Sequence, residues 1–183
     1  MSDGRSLGAV LAGGASQRFG RDKAQVVWRG ATLLDHAIRT LAGQVDELVV
    51  CGREHGSATW VPDRPAHGLG PLGGVNAALR HAIDLGLDRV LTVPCDAPVL
   101  PADLRGLLAG HRRGAFVAEM PVVGLWPAML AGALDRHLRA GGSRSVRAWA
   151  EAVGVRPVPL GRTIPNVNVP DDLELLDIPA FVG

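Results

Sequence analysis

Leu7-Gly8-Ala9-Val10-Leu11-Ala12-Gly13-Gly14-Ala15-Ser16-Gln17-Arg18-Phe19-Gly20-Arg21-Asp22-Lys23 runs from apolar residues into glycines and then into cations. The segment from Leu7 to Leu11 reads as a buried first strand. A glycine-rich turn directly after a strand lets backbone N–H groups approach phosphate oxygens closely. Arg18 and Lys23 add two cations where a triphosphate would lie. A P-loop requires Gly-Lys-Ser or Gly-Lys-Thr after its glycines, whereas Gly20 is followed by Arg21 and Asp22. The Rossmann fingerprint Gly-x-Gly-x-x-Gly fails too, because Gly13 and Gly14 are adjacent. An ordinary strand-to-helix loop would account for Gly13-Gly14 taken alone. The glycines together with Arg18 and Lys23 point to a nucleotide phosphate site.

Outward from this stretch, short apolar runs alternate with amphipathic patterns. Strands are expected at Leu7–Leu11, Glu47–Cys51, Arg89–Val93, Ala115–Ala118, Val122–Leu125 and Val155–Leu160. Helices are expected at Thr32–Leu41, Leu72–Leu85, Pro101–His111, Trp126–Arg139, Ser143–Ala152 and Asp171–Leu176. Such alternation implies βαβ units, a mostly parallel sheet and helices on both faces. Ligands of these sheets sit beyond the carboxyl ends of strands. Pro121 argues against a central strand position for the segment around it, which reads as a mixed or antiparallel edge.

At 183 residues the chain suffices for one well-buried domain, with 47% hydrophobic and 20% charged residues. A net charge of +1 supplies no broad basic field for nucleic acid. With 4% aromatics and no Tyr, a base-stacking surface is not expected either. Cys51 and Cys95 give no disulfide framework and read as small buried residues in a reducing compartment. The six histidines have no zinc-like spacing, and no Gly-x-Ser-x-Gly elbow occurs. No run is long enough to span a membrane. The default expectation is a cytoplasmic protein.

A second chemical signal is Val90-Leu91-Thr92-Val93-Pro94-Cys95-Asp96-Ala97-Pro98. Asp96 emerges at the carboxyl end of an apolar strand, where a carboxylate can hold Mg²⁺ and share it with phosphate oxygens. A turn aspartate is the plainer alternative. His67-Gly68-Leu69-Gly70-Pro71-Leu72-Gly73-Gly74-Val75 leads into a helix, and its glycines leave room for a base or ribose. Asp63, in Val61-Pro62-Asp63, could equally be a turn former. Ser143 reads as an N-cap. Arg144 offers a fork of donors that suits phosphate, with a solvated surface arginine as a nearly equal alternative. In Asn166-Val167-Asn168-Val169-Pro170-Asp171-Asp172, alternation puts two amides on one side of an extended segment. Trp126 reads as core packing before anything else.

Leu11-Ala12-Gly13-Gly14 with Arg18, Gly20 and Asp22-Lys23-Ala24 resembles the signature loop of the molybdenum cofactor guanylyltransferase family. Pro94-Cys95-Asp96-Ala97-Pro98, Gly70-Pro71-Leu72-Gly73-Gly74, Pro121-Val122-Val123-Gly124-Leu125-Trp126 and Asn166-Val167-Asn168-Val169-Pro170 resemble further motifs of that family. The resemblance spans Leu7 to Leu176, with Cys51, Met120 and Val169 departing from the usual pattern. It implies a single nucleotidyltransferase domain over 1–183, core about 7–176, with a three-layer α/β/α Rossmann-like (GT-A-like) fold. It implies transfer of GMP from GTP to the terminal phosphate of molybdopterin, with or without molybdenum. It assigns nucleotide contacts to Leu11, Ala12, Gly13, Gly14, Lys23, Asp63, Gly70 and Asp96. Catalysis falls to Arg18, Lys23 and Asp96, Mg²⁺ to Asp96, and the acceptor to Arg144, Asn166 and Asn168, whose amides suit a pterin edge. Enzymes of molybdenum cofactor synthesis or use are the implied protein partners. Relatives using cytidine or uridine nucleotides usually carry Leu-Ala-Ala-Gly where this chain has Leu11-Ala12-Gly13-Gly14, so the paired glycines favour guanine by resemblance. Two other readings stay open: a cytidylyl- or uridylyltransferase, and a non-catalytic nucleotide-binding relative.

Overall fold

The computed structural model describes residues 4–13, 22–56, 58–161, 164–169 and 171–176. Ser6–Leu11 forms strand β1, buried along its whole length. A strand with no polar face must be covered on both sides, as in the centre of a parallel sheet. Two short strands, β2 (Val27–Trp28) and β3 (Ala31–Thr32), then pair as a tight hairpin. Arg29 and Gly30 at its tip have φ of 46° and 80°, the left-handed geometry of a two-residue turn. Thr32 and Asp35 form a reciprocal capping box that starts helix α1 (Leu33–Ala42).

There follow β4 (Glu47–Cys51), β5 (Thr59–Val61), α2 (Pro71–Asp84), β6 (Arg89–Pro94), α3 (Leu104–Ala109), β7 (Ala115–Val117) and β8 (Met120–Pro127). The described chain ends with α4 (Ala131–Arg139), α5 (Val146–Ala152), β9 (Arg156–Val158) and α6 (Asp172–Leu175). Seven strands make one sheet in the order β5-β4-β1-β6-β8-β7-β9. Only β8 runs antiparallel to its neighbours.

Alternation along β1 divides the core. Leu7, Ala9 and Leu11 pack with α2, α4 and α5, whereas Val10 packs with α1 and α3. The result is the expected three-layer α/β/α arrangement. The strand order steps from β1 to β4 on one side and returns to β6 on the other, so the switch point lies at the carboxyl end of β1.

Several boundaries differ from the sequence reading. Trp126 and Pro127 extend β8 rather than opening a helix, and α4 begins at Ala131 after a 3-10 turn over Ala128–Leu130. The indole decides this. Trp126 is fully buried, pairs with Val90, and its Nε1 donates to Thr92 Oγ1 at 2.8 Å. It packs in the core beside Phe116 and Trp149, as expected for a packing residue. Strand β8 is central, between β6 and β7, and not an edge. Pro121 is tolerated because pairing with β6 involves Gly124 to Pro127, and the β7 register shifts between Phe116 and Val117. The missing N–H therefore falls where the ladder is broken. The cap of α5 is Ser145, whose hydroxyl accepts from Ala148 N; Ser143 instead accepts from Ser145 N. The third expected helix shortens to Leu104–Ala109, ending at Gly110. The last expected strand shortens to Arg156–Val158.

Candidate active site

The carboxyl ends of β1, β4, β5 and β6 carry Ala12-Gly13, Gly52-Arg53, Asp63 and Asp96, all on one edge of the sheet. Backbone bonds lock these ends together: Ala12 N–H donates to the Cys51 carbonyl at 2.9 Å, and Cys95 N–H to the Leu11 carbonyl at 3.1 Å. Gly13 and Gly52 touch backbone to backbone. A Cβ on Gly52 (φ +90°) would lie 2.5 Å from Gly13 N. Only glycine permits this approach, which fixes the start of the phosphate-type loop.

Lys23 opens a 3-10 turn that Asp22 caps by accepting from Ala24 N at 3.2 Å. Its Nζ donates to Asn168 Oδ1 at 2.8 Å and faces Asp96 Oδ2 at 3.4 Å. Asp96 is fixed through its backbone as well, because its carbonyl accepts from Val167 N–H at 2.8 Å. Val167 is fully buried between intermediate Asn166 and exposed Asn168, and the expected alternation stops there because Val169 is exposed as well. Asp172 Oδ2 accepts from the N–H groups of Asn168 and Val169 at 2.6 and 2.9 Å. These bonds hold the Asp172 carboxyl below its usual range and pin the backbone of Asn168, whose side-chain oxygen accepts from Lys23. Three distant segments thus meet at one ammonium.

Asp63 forms a second focus. Cβ atoms built on Gly13 and Gly73 would lie 3.3 and 3.4 Å from its side chain, and one on Gly74 3.5 Å from its Oδ1. Burial raises the Asp63 carboxyl above its usual range, partly offset by His67. Gly70 stands at the N-cap of α2 with φ 67°. Leu11 is buried under this floor, its side chain against Gly74. Gly13, Gly73 and Gly74 form a cradle close around the Asp63 side chain, whose carboxyl can accept from N–H or O–H groups.

Among the expected site residues, Lys23, Asp96 and Asn168 converge; Leu11, Ala12, Gly13, Gly70 and Asp63 frame the adjoining cradle; Asn166 lies in the same extended segment as Asn168. Gly14 and Arg18 lie outside the described residues. Arg144 is bonded elsewhere than expected: its Nη1 donates to the Gly68 carbonyl at 3.0 Å, tying the glycine-rich loop to the segment before α5. Sequence reasoning missed Gly52 and Arg53. Arg53 ion-pairs with Asp22, and its Nη1 is buried with no hydrogen-bond partner among the described residues. The signal for Arg53 was its position directly after a strand that pairs with β1.

Burial pushes both thiols up to about 12, with Asp63 adding to the effect at Cys51 and Asp96 at Cys95. Neither is a nucleophile at neutral pH. Among the described residues no three His, Cys, Asp or Glu side chains converge on a metal site. Asp96 offers a single partly exposed carboxylate beside a cation, with the Asn168 amide oxygen on the same ammonium. That donor set fits Mg²⁺, which keeps waters and takes one or two carboxylates plus substrate phosphates.

Comparison with known proteins follows this geometry. Residues 8–154 match the family model described as MobA-like NTP transferase domain. A molybdenum cofactor guanylyltransferase of Sinorhizobium fredii is 37% identical, over 93% of this chain and 90% of the relative. One of Rhizobium johnstonii is 38% identical, over 91% and 88%. Molybdopterin-guanine dinucleotide biosynthesis protein A from Archaeoglobus fulgidus superposes with TM-score 0.76 at 21% identity, covering 92% of this chain and 95% of that one. A Thermus thermophilus 2-C-methyl-D-erythritol 4-phosphate cytidylyltransferase superposes with TM-score 0.65 at 20% identity, covering 91% and 95%. The fold is therefore shared between enzymes named for different substrates.

Proposed function

The chain belongs to the molybdenum cofactor guanylyltransferases of the MobA-like NTP transferase family, and from that premise we propose that it transfers GMP from GTP to the terminal phosphate of molybdopterin, with or without molybdenum. Pyrophosphate leaves and molybdopterin guanine dinucleotide forms. The observation that carries this reading is the single ammonium of Lys23 held between Asp96 Oδ2 and Asn168 Oδ1. It joins the donor loop, the end of β6 and the extended segment before α6 in one contact.

In this reading GTP lies across the glycine floor. Asp63 accepts from the nucleoside, and the Gly13–Gly52 approach leaves room for phosphate oxygens. Lys23 and Arg18 donate to those oxygens, compensating charge that grows as the α-phosphoryl group is attacked in line. Asp96 would hold Mg²⁺, which when bound would supply further neutralisation of phosphoryl charge. Asn166 and Asn168 donate to and accept from the pterin edge, and Asn168 orients the Lys23 ammonium until phosphate replaces it. No protein nucleophile is required, because positioning and charge compensation suffice for direct displacement. The decisive experiment is pyrophosphate release from GTP and from CTP, each with purified molybdopterin and Mg²⁺. Turnover with GTP and little with CTP is expected. Preference for CTP overturns the base assignment, and nucleotide binding without pyrophosphate release overturns the catalytic reading.

A further inference from the structure

On the flank of α2 that faces α4, away from the Lys23 ammonium, lies a cleft of about 240 Å³. Arg64, Arg80 and Arg136 line it, with Asn76 and Asp135 beside them. Asn76 is 1% exposed and forms a fixed polar wall. Its Nδ2 donates to Asp135 Oδ1 at 3.1 Å, and Arg139 Nε donates to Asp135 Oδ2 at 2.7 Å. Both oxygens of the lone carboxylate in the cleft are thereby engaged. Arg80 Nε faces Asp84 Oδ1 at 3.4 Å, in an exposed pair that solvent weakens. The guanidinium groups of Arg64 and Arg136 make no hydrogen bond or close ion pair among the described residues, and Arg64 lies near enough to Asp135 to help lower its carboxyl. Three guanidinium groups around one occupied carboxylate leave the cleft cationic in a chain whose net charge is only +1.

We propose that this cleft is a second, non-catalytic anion site that takes a small phosphate-class anion, of the size of orthophosphate or pyrophosphate. Planar guanidinium forks match phosphate oxygens in pairs, which ammonium groups do not. The volume lies below the roughly 300–1,000 Å³ of pockets that bury drug-sized ligands, which suits a small anion better than a whole nucleotide. The site also bears on the nucleotide cradle. Arg64 N–H donates to the Gly73 carbonyl at 3.1 Å, and its neighbour Asp63 packs against Gly13, Gly73 and Gly74. An anion that draws in the Arg64 side chain acts on the residue next to Asp63.

Titration calorimetry separates this site from the catalytic one. The protein carries Lys23→Ala to weaken anion binding at the active site, and Mg²⁺ and GTP are left out. Pyrophosphate, orthophosphate and citrate are titrated into this variant and into one carrying Arg64→Ala and Arg136→Ala as well. Pyrophosphate or orthophosphate binding that survives Lys23→Ala and weakens about tenfold or more with the arginine changes supports the site. The tighter of the two phosphates then names its occupant. Both arginines are exposed, and circular dichroism verifies that the variants remain folded. Loss of all anion binding with Lys23→Ala, or binding indifferent to Arg64 and Arg136, overturns the proposal. Citrate binding as tightly as the phosphates overturns the assignment to phosphate chemistry. None of these outcomes depends on GTP being the nucleotide substrate.

Discussion

Lys23 and Asp96 illustrate how one residue pair can be critical to chemistry yet minor for stability. Their side chains are 15% and 24% exposed and approach only to 3.4 Å. At that separation the attraction between two largely desolvated charges is mostly offset by the cost of taking them out of water, so the pair adds little net stability. Replacing Asp96 by Asn keeps the shape and the backbone bond from Val167 but removes the charge. The expected outcome is a fall in turnover of about 10²–10³, the usual loss when one preorganised electrostatic contact is deleted. The melting temperature should stay near that of the parent. Steady-state pyrophosphate release and a thermal melt check the two halves, and unchanged turnover would remove Asp96 from the site. Asp96 was legible in the sequence because an apolar strand ending in a proline announces where its carboxyl end falls. The partner of Lys23 was not: only folding brings Asn168 to it. Arg144 was read as a donor to the acceptor phosphate beside the alternative of a solvated surface arginine, and its bond to the Gly68 carbonyl depends on tertiary packing that no local pattern encodes.

At the scale of elements, β1, β4 and β6 were readable because each is a continuous apolar run, the mark of strands covered on both faces. The shorter elements were not. β5 spans Thr59–Val61 on the sheet edge with Trp60 42% exposed, so it has no apolar run to read. β2 and β3 are two residues each, held by their turn. The β8–α4 boundary was misread because Trp126-Pro127-Ala128-Met129-Leu130 has helix-compatible spacing, whereas burial of the indole and its bond to Thr92 keep Trp126 in the sheet. The contact between the ends of β1 and β4 yields the sharpest element-level test. Gly52 has φ +90°, and any Cβ there meets Gly13 backbone rather than a movable side chain. Gly52→Ala must therefore displace the start of the donor loop. The expected effect is a rise in KM for GTP of about tenfold or more, since a misplacement of about 1 Å can cost about 10² in rate. Destabilisation of about 1–2 kcal/mol is expected alongside it, the scale for a non-glycine residue forced into left-handed geometry. Gly56→Ala, where a Cβ meets nothing within 4 Å, is the control. An unchanged KM in Gly52→Ala would show that the loop does not depend on this approach.

Across the described molecule, the carboxyls that folding shifts fall into two kinds with opposite pH behaviour. Asp35 is held below the usual 3.8, first by its bond from Thr32 in the capping box. Asp135 is held below 3.8 by Arg139 and Asn76, and Glu119 below 4.5 by backbone N–H groups, Leu160 first. A carboxyl lowered by folding stabilises the native state above its unfolded value, and that contribution is lost as pH falls through the folded value. Together these groups make the fold acid-sensitive below about pH 4.5 to 3.8, with the loss deepening at lower pH. Asp63 has the opposite sign. Burial raises it, so its penalty is absent below 3.8 and grows as pH rises through its folded value. Its retention in the glycine cradle is therefore a cost to stability that a nucleotide contact can offset. Asp63→Asn is expected to be more stable than the parent at pH 7.5, with the difference shrinking toward zero as the pH approaches 3.8. It should at the same time bind GTP more weakly, because an amide replaces a charged acceptor. Urea unfolding at a series of pH values, with GTP titration at pH 7.5, reads both effects. A variant less stable than the parent at neutral pH would mean that the Asp63 carboxylate is compensated within the fold, and that its burial is not held in reserve for a ligand.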